Sequence, residues 1–567
     1  MKTLGQLQEV INTDVLVLGG GIAGCLAAIK AKESGVEVVV VDKANIGRSG
    51  DSHQMSGVLT YFIPKKDDHE KWYRECVEAS QWLSDQKRLE GMIEESTDRI
   101  TDLNRWGVKF QKEGDEFIRK PGVGHYYARN AFMTHGGFQL MSVLRGEVLR
   151  RGVRSIERVM VTDLLTSDGE VPTGGRITGA VGFNIKNGKV YWFKSKATII
   201  ATGSTRLILP RMNAPSLSGD GVAMAIRVGC EMRNMDISFY NHGPRDFNTA
   251  PGANPLFMEG AILVNARGER FMERWDPIRM ERAPRVIVTK AMAVETREGR
   301  GPVYLDATHL DSAAHRRLEM AIPILIRSFA TGGLSLRKDR IPYVVYLESL
   351  GPGGIRVDRE NATTIPGLYA AGAASDHGED GVTNIISHGM ESAIGGHRAG
   401  EAAAKYSLET GEPVIHEQKV KAMIEEIFMP LVRKPGLVYQ EVLEHSVSLF
   451  EKGLLGPVRN ERGLRKAIDT VKEIREQEVP RLQARDFHDL TKIIGLENAL
   501  FFPELLAKCA LLRTESRGSH YREDYPEAND RKWLKWVIAK RGEDGIKVWA
   551  EPIPFNEYPL RPEGGEN

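Results

Sequence analysis

Three glycines and one acid carry the plainest chemistry in this chain. Asp14 to Leu18 is an apolar run that stops at Gly19, Gly20 and Gly21 and resumes as a helix-like stretch through Gly24 and Cys25. The spacing Gly19-x-Gly21-x-x-Gly24 allows a tight turn, close approach of backbone to a pyrophosphate, and close helix–strand packing. Free N–H groups at the start of the following helix favour phosphate. A second apolar run, Val36 to Val41, ends on Asp42, at about the distance expected of a ribose-hydroxyl acceptor. In this order the features read as a dinucleotide grip, for a flavin or a nicotinamide. The plainer alternative is a glycine-rich βα turn of another α/β protein. No second complete glycine triplet with strand and acid follows, because Gly351-Pro352-Gly353-Gly354 lacks the spacing. A nicotinamide partner therefore gains little support.

The elements that must position these residues are spread along the chain. Strand patterns at Ser155–Leu165, Ile177–Ile185 and Val190–Phe193 precede a short buried strand at Lys196–Gly203. A mixed region runs from about Met235 to Leu350, and a further buried strand with a glycine turn falls at Pro366–Gly372. A dinucleotide site at the start, returning strands, and an unlike block between them indicate an insertion lying over the cofactor. From 411 onward the period is helical, with Val420, Met423, Ile424, Ile427 and Phe428 on one face. Val548 to Pro562, with four prolines, reads as extended.

The bulk properties narrow the class. The 567 residues exceed one ordinary domain. Lys plus Arg is 77 and Asp plus Glu is 76, a balance that argues for a small-molecule enzyme and against a nucleic-acid surface. The four cysteines, Cys25, Cys76, Cys230 and Cys509, are too scattered for a disulfide framework, a metal site or an iron–sulfur cluster within the chain. Reduced cysteines and a polar N-terminus suit the cytoplasm. No run of about 18 apolar residues is long enough to span a membrane.

An ordered set of motifs carries a resemblance. It includes the glycine triplet, Arg48-Ser49-Gly50, Trp106-Gly107-Val108 with Phe110, Ala201-Thr202-Gly203 and Ser218-Gly219-Asp220-Gly221. Gly268-Glu269-Arg270-Phe271-Met272, Pro284-Arg285 and Pro366–Gly372 follow, then Glu515-Ser516-Arg517-Gly518 and Arg522–Pro526. In these the chain resembles the succinate dehydrogenase/fumarate reductase flavoprotein subunits over most of residues 12–540. The Arg-Ser-Gly form is similar to the adenylylsulfate reductase alpha subunit of the same superfamily. The implied fold is α/β: a Rossmann-like FAD-binding domain (1–235 and 351–410), an inserted α+β capping domain (236–350), a C-terminal helical domain (411–540) and an extended tail (541–567).

The resemblance implies two-electron exchange at a carbon–carbon bond beside an electron-withdrawing group, with a small organic substrate. Electrons pass through a separate iron–sulfur, ferredoxin-like protein. The alternatives are a flavin oxidase similar to L-aspartate oxidase, an adenylylsulfate-reductase-like subunit, or a catalytically silent electron-transfer subunit. Oligomerisation is left open. FAD is expected to be non-covalent, because Gly50 stands where covalent members carry histidine and His53 is out of register. The expected cofactor-binding residues are Gly19, Gly21, Gly24, Asp42, Lys43, Ser49, Gly50, Ser56, Gly57, Ala201, Thr202, Gly203, Asp220, Gly372, His388 and Glu391. The helix start near Asn384 would face the flavin, with a solvated face as the alternative for Glu391.

Arg285 matches the proton-shuttling arginine of the family, although Val286 replaces the usual following aspartate. The alternative is one more residue of an arginine-rich segment. His242, in Tyr240-Asn241-His242-Gly243-Pro244, is a substrate-binding or acid–base candidate, since histidine titrates near neutrality. His135, in a Thr-His-Gly-Gly turn, is a third candidate. For both histidines an ordinary loop residue is the alternative. The pocket departs from the dicarboxylate enzymes: Ser349–Gly354 lacks their histidine, and His377-Gly378-Glu379-Asp380-Gly381-Val382 is acidic where they carry arginine. Each missing charge-assisted bond is worth about 1.5–3 kcal/mol, so succinate and fumarate are not the expected substrates.

Overall fold

The computed structural model describes residues 8–55, 57–120, 127, 129–209, 216–247, 254–376, 385–434 and 436–562. The opening apolar run forms β1 (Gln8–Leu18), the glycine turn leads into α1 (Ile22–Glu33), and the second run forms β2 (Val38–Asp42). Through Ile29 every residue of α1 is buried and none is charged, as a helix enclosed on all sides requires. Helix α2 (Gly50–Gln54) follows, and beyond helices at His69–Ala79, Gln86–Leu89 and Met92–Trp106 comes α3 (Gly136–Arg150). Then come β3 (Arg154–Glu157), β4 (Val159–Thr166), β5 (Ile177–Asn184) and β6 (Val190–Ile200). The sequence suggests two strands, Val190–Phe193 and Lys196–Gly203, with a break at Lys194-Ser195. They form one strand, because the two lysines alternate with buried Phe193, Ser195 and Ala197 on the pleat. Lys196 reaches Asp14 at 3.0 Å.

The second half begins with β7 (Met232–Pro244) and β8 (Ile262–Val264). It continues with α4 (Arg285–Glu295), β9 (Val303–Asp306) and β10 (Ile341–Ile355). The chain then returns through β11 (Leu368–Ala370) into α5 (His388–Glu409). Helices α6 (Glu417–Val432), α7 (Tyr439–Glu451), α8 (Glu461–Glu473), α9 (Phe487–Ala499) and α10 (Phe501–Leu512) follow. The chain closes on a hairpin, β12 (Lys535–Gly542) and β13 (Gly545–Pro552).

Two sheets organise the molecule. The first has the order β3-β2-β1-β6-β5-β4, with β11 added on β6. β2, β1, β6 and β11 are mutually parallel, so their carboxyl ends open on one edge. Ligands of open α/β sheets bind at that edge. α5 lies against α1 with almost no gap: a Cβ on Gly396 or Gly400 would come within 2.3 Å of the carbonyl oxygens of Ala23 and Ala27. The second sheet has the order β8-β9-β10-β7-β12-β13.

That second sheet departs from the sequence reading in two ways. Its four strands from this part of the chain begin at Met232 and end at Ile355, beyond both edges of the 236–350 block. The helical run stops at Leu512, not at 540, and the expected tail supplies a paired strand. The missed signal is local. Gly542-Glu543-Asp544-Gly545 separates two apolar runs, which is a hairpin pattern.

Candidate functional site

The cofactor cradle forms where β1 and β6 end side by side. Gly19 has φ +105°, and a Cβ there would lie 2.3 Å from the Ala201 carbonyl oxygen. A Cβ on Gly24 would lie 1.9 Å from the Gly19 oxygen, so no other residue fits either position. α1 starts without a capping bond from Gly21 and without an acid in its first turn, and although Ile22 N–H donates to Ser52 Oγ at 3.2 Å, its positive end favours an anion. The buried hydroxyl of Thr202 has no hydrogen-bond partner among the described residues at the same edge. These features fit a dinucleotide pyrophosphate. Asp42 accepts from the N–H groups of Gly20 at 2.8 Å and Ala44 at 2.7 Å. Burial raises its carboxyl above the usual range. Each oxygen keeps a further lone pair for a ribose hydroxyl.

The remaining cofactor candidates take varied places. Lys43 reaches Ser218 Oγ at 2.6 Å and Asp220 Oδ2 at 2.7 Å. Asp220 Oδ1 accepts from Ser218 and Asn498. Its charge therefore serves Lys43, a positioning role that the motif alone did not reveal. Ser49 precedes α2, and Gly50 opens it at φ +70°. His53 turns edge-on to the exposed Phe138 ring, with centroids 5.5 Å apart. Gly57 meets the backbone of Gly136, where a Cβ would lie 2.4 Å from its Cα. Gly203 and Gly372 both have positive φ, at +75° and +67°. Ser56, His377, Glu379 and Asp380 lie outside the described residues.

α5 begins at His388, four residues later than the sequence suggested, because Ser387 supplies the cap. Ser387 Oγ accepts from Met390 N–H and from Thr60 N–H. Glu391 is buried at 4% exposure, so the solvated-face alternative fails. It lies 3.9 Å from Arg88, which donates to the Asp376 carboxylate at 2.7 Å and to its carbonyl at 2.8 Å. Arg233 pairs with the other Asp376 oxygen and with Asp85 at 2.9 Å. Burial opposes ionisation of Asp85, yet Arg233 outweighs it and holds the carboxyl below its usual range. Nothing in the local sequence marks Arg88 or Arg233 as partners of Asp376.

The C-terminal motif is also structural. Arg513 meets Asp236 at 2.6 Å with neither side chain exposed. Arg517 is held by Glu515 at 2.7 Å and Asp530 at 2.6 Å. Arg459 donates to the Asp236 carbonyl and to the Tyr240 hydroxyl, both at 2.7 Å. All four cysteines are buried as free thiols.

A separate cluster gathers side chains from β7, β10 and α4. β7 and β10 run antiparallel with Pro244 opposite Tyr343 and His242 opposite Val345. His242 and Tyr343 are thus diagonal neighbours, with ring centroids 5.6 Å apart. Phe257 flanks both, at 5.4 Å and 6.3 Å. Arg285 opens α4 immediately after Pro284, and its guanidinium carbon lies 4.8 Å from the Phe239 centroid. Phe239 in turn meets the His388 ring edge-on at 5.2 Å. Burial, with Arg285 nearby, pushes the His242 imidazole down to about 3. Burial raises the Tyr343 hydroxyl far above its ordinary range. Both groups are therefore neutral at physiological pH.

Nδ1 of His242 and the hydroxyl of Tyr343 are buried without a hydrogen-bond partner among the described residues. Leaving such an atom unpaired costs about 1–3 kcal/mol, so native proteins rarely do so without a functional reason. The structure thus places Arg285 within electrostatic reach of His242 and of Tyr343, a residue that the sequence did not single out. His135 is exposed at the start of α3, and none of the ring contacts in this cluster involves it.

Residues 14–388 match the FAD binding domain family, and residues 452–564 match the fumarate reductase flavoprotein C-terminal family. Cradle, sheets and sequence match together define an FAD-dependent oxidoreductase. The chain belongs to the succinate dehydrogenase/fumarate reductase flavoprotein family. It is 29% identical over 561 residues to one of the subunits of the CoM/CoB fumarate reductase of Methanothermobacter marburgensis, covering 94% of this chain and 98% of that protein. It is 29% identical over 560 residues to the L-aspartate oxidase of Streptomyces coelicolor, covering 94% and 92%. The FrdA chain of an E. coli quinol fumarate reductase variant superposes with a TM-score of 0.88 at 25% identity, covering 99% of this chain and all of that one. No described helix is long and apolar enough to cross a membrane.

Proposed function

We propose that this protein exchanges two electrons with a small organic substrate at a carbon–carbon bond beside an electron-withdrawing group. A separate iron–sulfur protein of ferredoxin type is the electron carrier in this reading. One observation carries the substrate half: Arg285 stands by two buried, unpartnered polar atoms near the residue that opens α5. FAD, held without a covalent bond, supplies hydride transfer when bound. The Gly19–Gly24 turn and the start of α1 would hold its pyrophosphate, and Asp42 its ribose.

Within the cluster, Arg285 stabilises the negative charge that builds on the electron-withdrawing group. Val286 packs into an apolar cluster with Ile237 and Trp536 and carries no proton. His242 is too weak a base to hold a proton near neutrality, so its part is hydrogen bonding. A plain dicarboxylate does not suit the site: Ser349–Gly354 offers no basic side chain, and among the described residues Arg285 is the one cation acting on His242.

Anaerobic assay with reduced methyl viologen tests this reading. Compounds with a carbon–carbon double bond beside a carbonyl should be reduced, and fumarate should be reduced negligibly. Fumarate turnover near 10 per second, a typical enzymatic rate of about that order, would overturn the pocket argument. Failure of every unsaturated compound would overturn the reaction class.

A further inference from the structure

We propose that Tyr343 and His242 together hold one neutral carbonyl oxygen, which makes the substrate an α,β-unsaturated carbonyl compound without a second carboxylate. This rests on the carbon–carbon redox reading above and adds to it the chemical group recognised.

The geometry supplies the first argument. Both side chains project from neighbouring antiparallel strands, so their separation is set by sheet register and not by a loop. The His242 backbone N–H bonds to Asn241 Oδ1 at 2.8 Å, which fixes the residue that bears the imidazole. His242 is 6% exposed and Tyr343 is 1% exposed. The Phe257 ring stands against both, closing one side of the pair with an apolar edge. Two polar atoms remain, the Tyr343 hydroxyl and His242 Nδ1, each without a partner among the described residues. With its proton on Nδ1, the neutral imidazole donates one hydrogen bond and the phenol donates another. A single oxygen with two lone pairs satisfies both.

Charge supplies the second argument. Among the described residues, Arg285 is the one cation that acts on His242 and on Tyr343, and the Tyr346 phenol is the other titratable group that acts on Tyr343. His242 is neutral and adds no positive charge. A dianion held by this pair would leave one negative charge without a partner in a buried setting, which is strongly unfavourable. A neutral carbonyl has no such deficit.

The chemistry follows from the placement. In the reductive direction FAD, which the Gly19–Gly24 turn, the start of α1 and Asp42 would hold, would supply the hydride equivalent, and the carbon–carbon π bond breaks as the β-carbon gains its C–H bond. The electron pair moves toward the carbonyl oxygen, giving an enolate held by the two donors and by the Arg285 charge. A proton from solvent water then bonds to the α-carbon as a water O–H bond breaks, the carbonyl is restored, and the compound has gained two electrons and two hydrogens. Donors placed at an oxygen that gains charge are worth more in the transition state than in the ground state.

The test uses the FAD-loaded full chain and two probes, S-crotonyl-N-acetylcysteamine and fumarate. Binding is measured by calorimetry and turnover with reduced methyl viologen. Tyr343→Phe keeps the ring and removes only the donor. Wild type should bind the thioester at least about tenfold more tightly than fumarate, a gap of about 1.4 kcal/mol. Tyr343→Phe should weaken thioester binding and lower its kcat by about 10²–10³, the range for one lost donor of this kind. Its flavin content and its fumarate affinity should not change. His242→Gln, which keeps an N–H donor, should retain more activity than His242→Leu. The proposal is overturned if Tyr343→Phe matches wild type in thioester affinity and kcat, or if fumarate is the better ligand. Thioester binding that depends on Tyr343 but leads to no reduction supports the carbonyl site and defeats the redox reading instead.

Discussion

Arg285 lies over the face of Phe239, with its guanidinium carbon 4.8 Å from the ring centroid. Such stacking is worth about 0.5–2 kcal/mol and sets the plane of the fork. Lysine keeps the charge but loses the planar donors. Arg285→Lys should therefore retain FAD and fold while the chemical step slows by about 10²–10⁴, the scale for a lost acid–base or charge-stabilising group. Electron exchange between flavin and an artificial dye should stay normal. Stopped-flow absorbance on the two half-reactions separates these results.

The glycines of the turn should fail in different ways. Gly24→Ala places a methyl group 1.9 Å from the Gly19 oxygen, so the first helix cannot seat against its strand. Little folded protein is expected. At Gly21 the nearest protein atom to a new Cβ is Ser52 Oγ at 3.1 Å, which permits folding. Gly21→Val should give folded, colourless protein, because the side chain occupies the path of the pyrophosphate. Circular dichroism and flavin absorbance on the two variants distinguish the outcomes.

Acid precipitation should release all yellow colour into the supernatant. Gly50 offers no side chain for attachment, and His53 turns to Phe138. Flavin remaining with the denatured chain would show a covalent bond.

Acid should weaken the fold through His242. Its folded value is about 3, against an ordinary value of 6.5. Between those limits the unfolded chain binds a proton that the folded chain does not. Stability is thus present in full above about pH 6.5 and is lost as pH falls toward 3, by up to about 1.4 kcal/mol per unit. Buried His520 acts in the same direction. Urea denaturation from pH 7 to pH 4 should show a shallower loss in His242→Asn than in wild type.

Asp376 neutralises two guanidinium groups, Arg88 and Arg233, in a region where all three side chains are under 5% exposed. Asp376→Leu leaves both cations buried without that partner. A loss of about 3–5 kcal/mol is expected, read from the midpoint of urea unfolding.

What the sequence disclosed depended on how local each feature is. The strand, glycine turn, helix and Asp42 lie within a few dozen residues, and their types alone define the grip. Asp220 was legible as a motif member and Lys43 as a cofactor candidate, but not as partners of each other. Lys194-Ser195 looked like a strand break because a solvent-facing residue of a long strand resembles a loop. Tyr343 gave no signal at all. Its meaning comes from lying diagonally across from His242, and only the pairing of two distant strands creates that neighbour. The burial of Glu391 likewise required Arg88, which a reading of its own helix does not contain.

The second sheet has a consequence for synthesis. Met232 and Arg233 pair with Ala539 and Ile538, so β7 meets β12 only after almost the whole chain has been made. The intervening stretch is roughly 300 residues, and translation at about 5–20 residues per second takes about 15–60 s to deliver it. During that interval the start of β7 is an open strand edge, the kind of surface that recruits other chains. Crowded polysomes should lose this protein to aggregates at that stage, and a chaperone that shields the edge until β12 emerges should raise the yield without altering the finished enzyme.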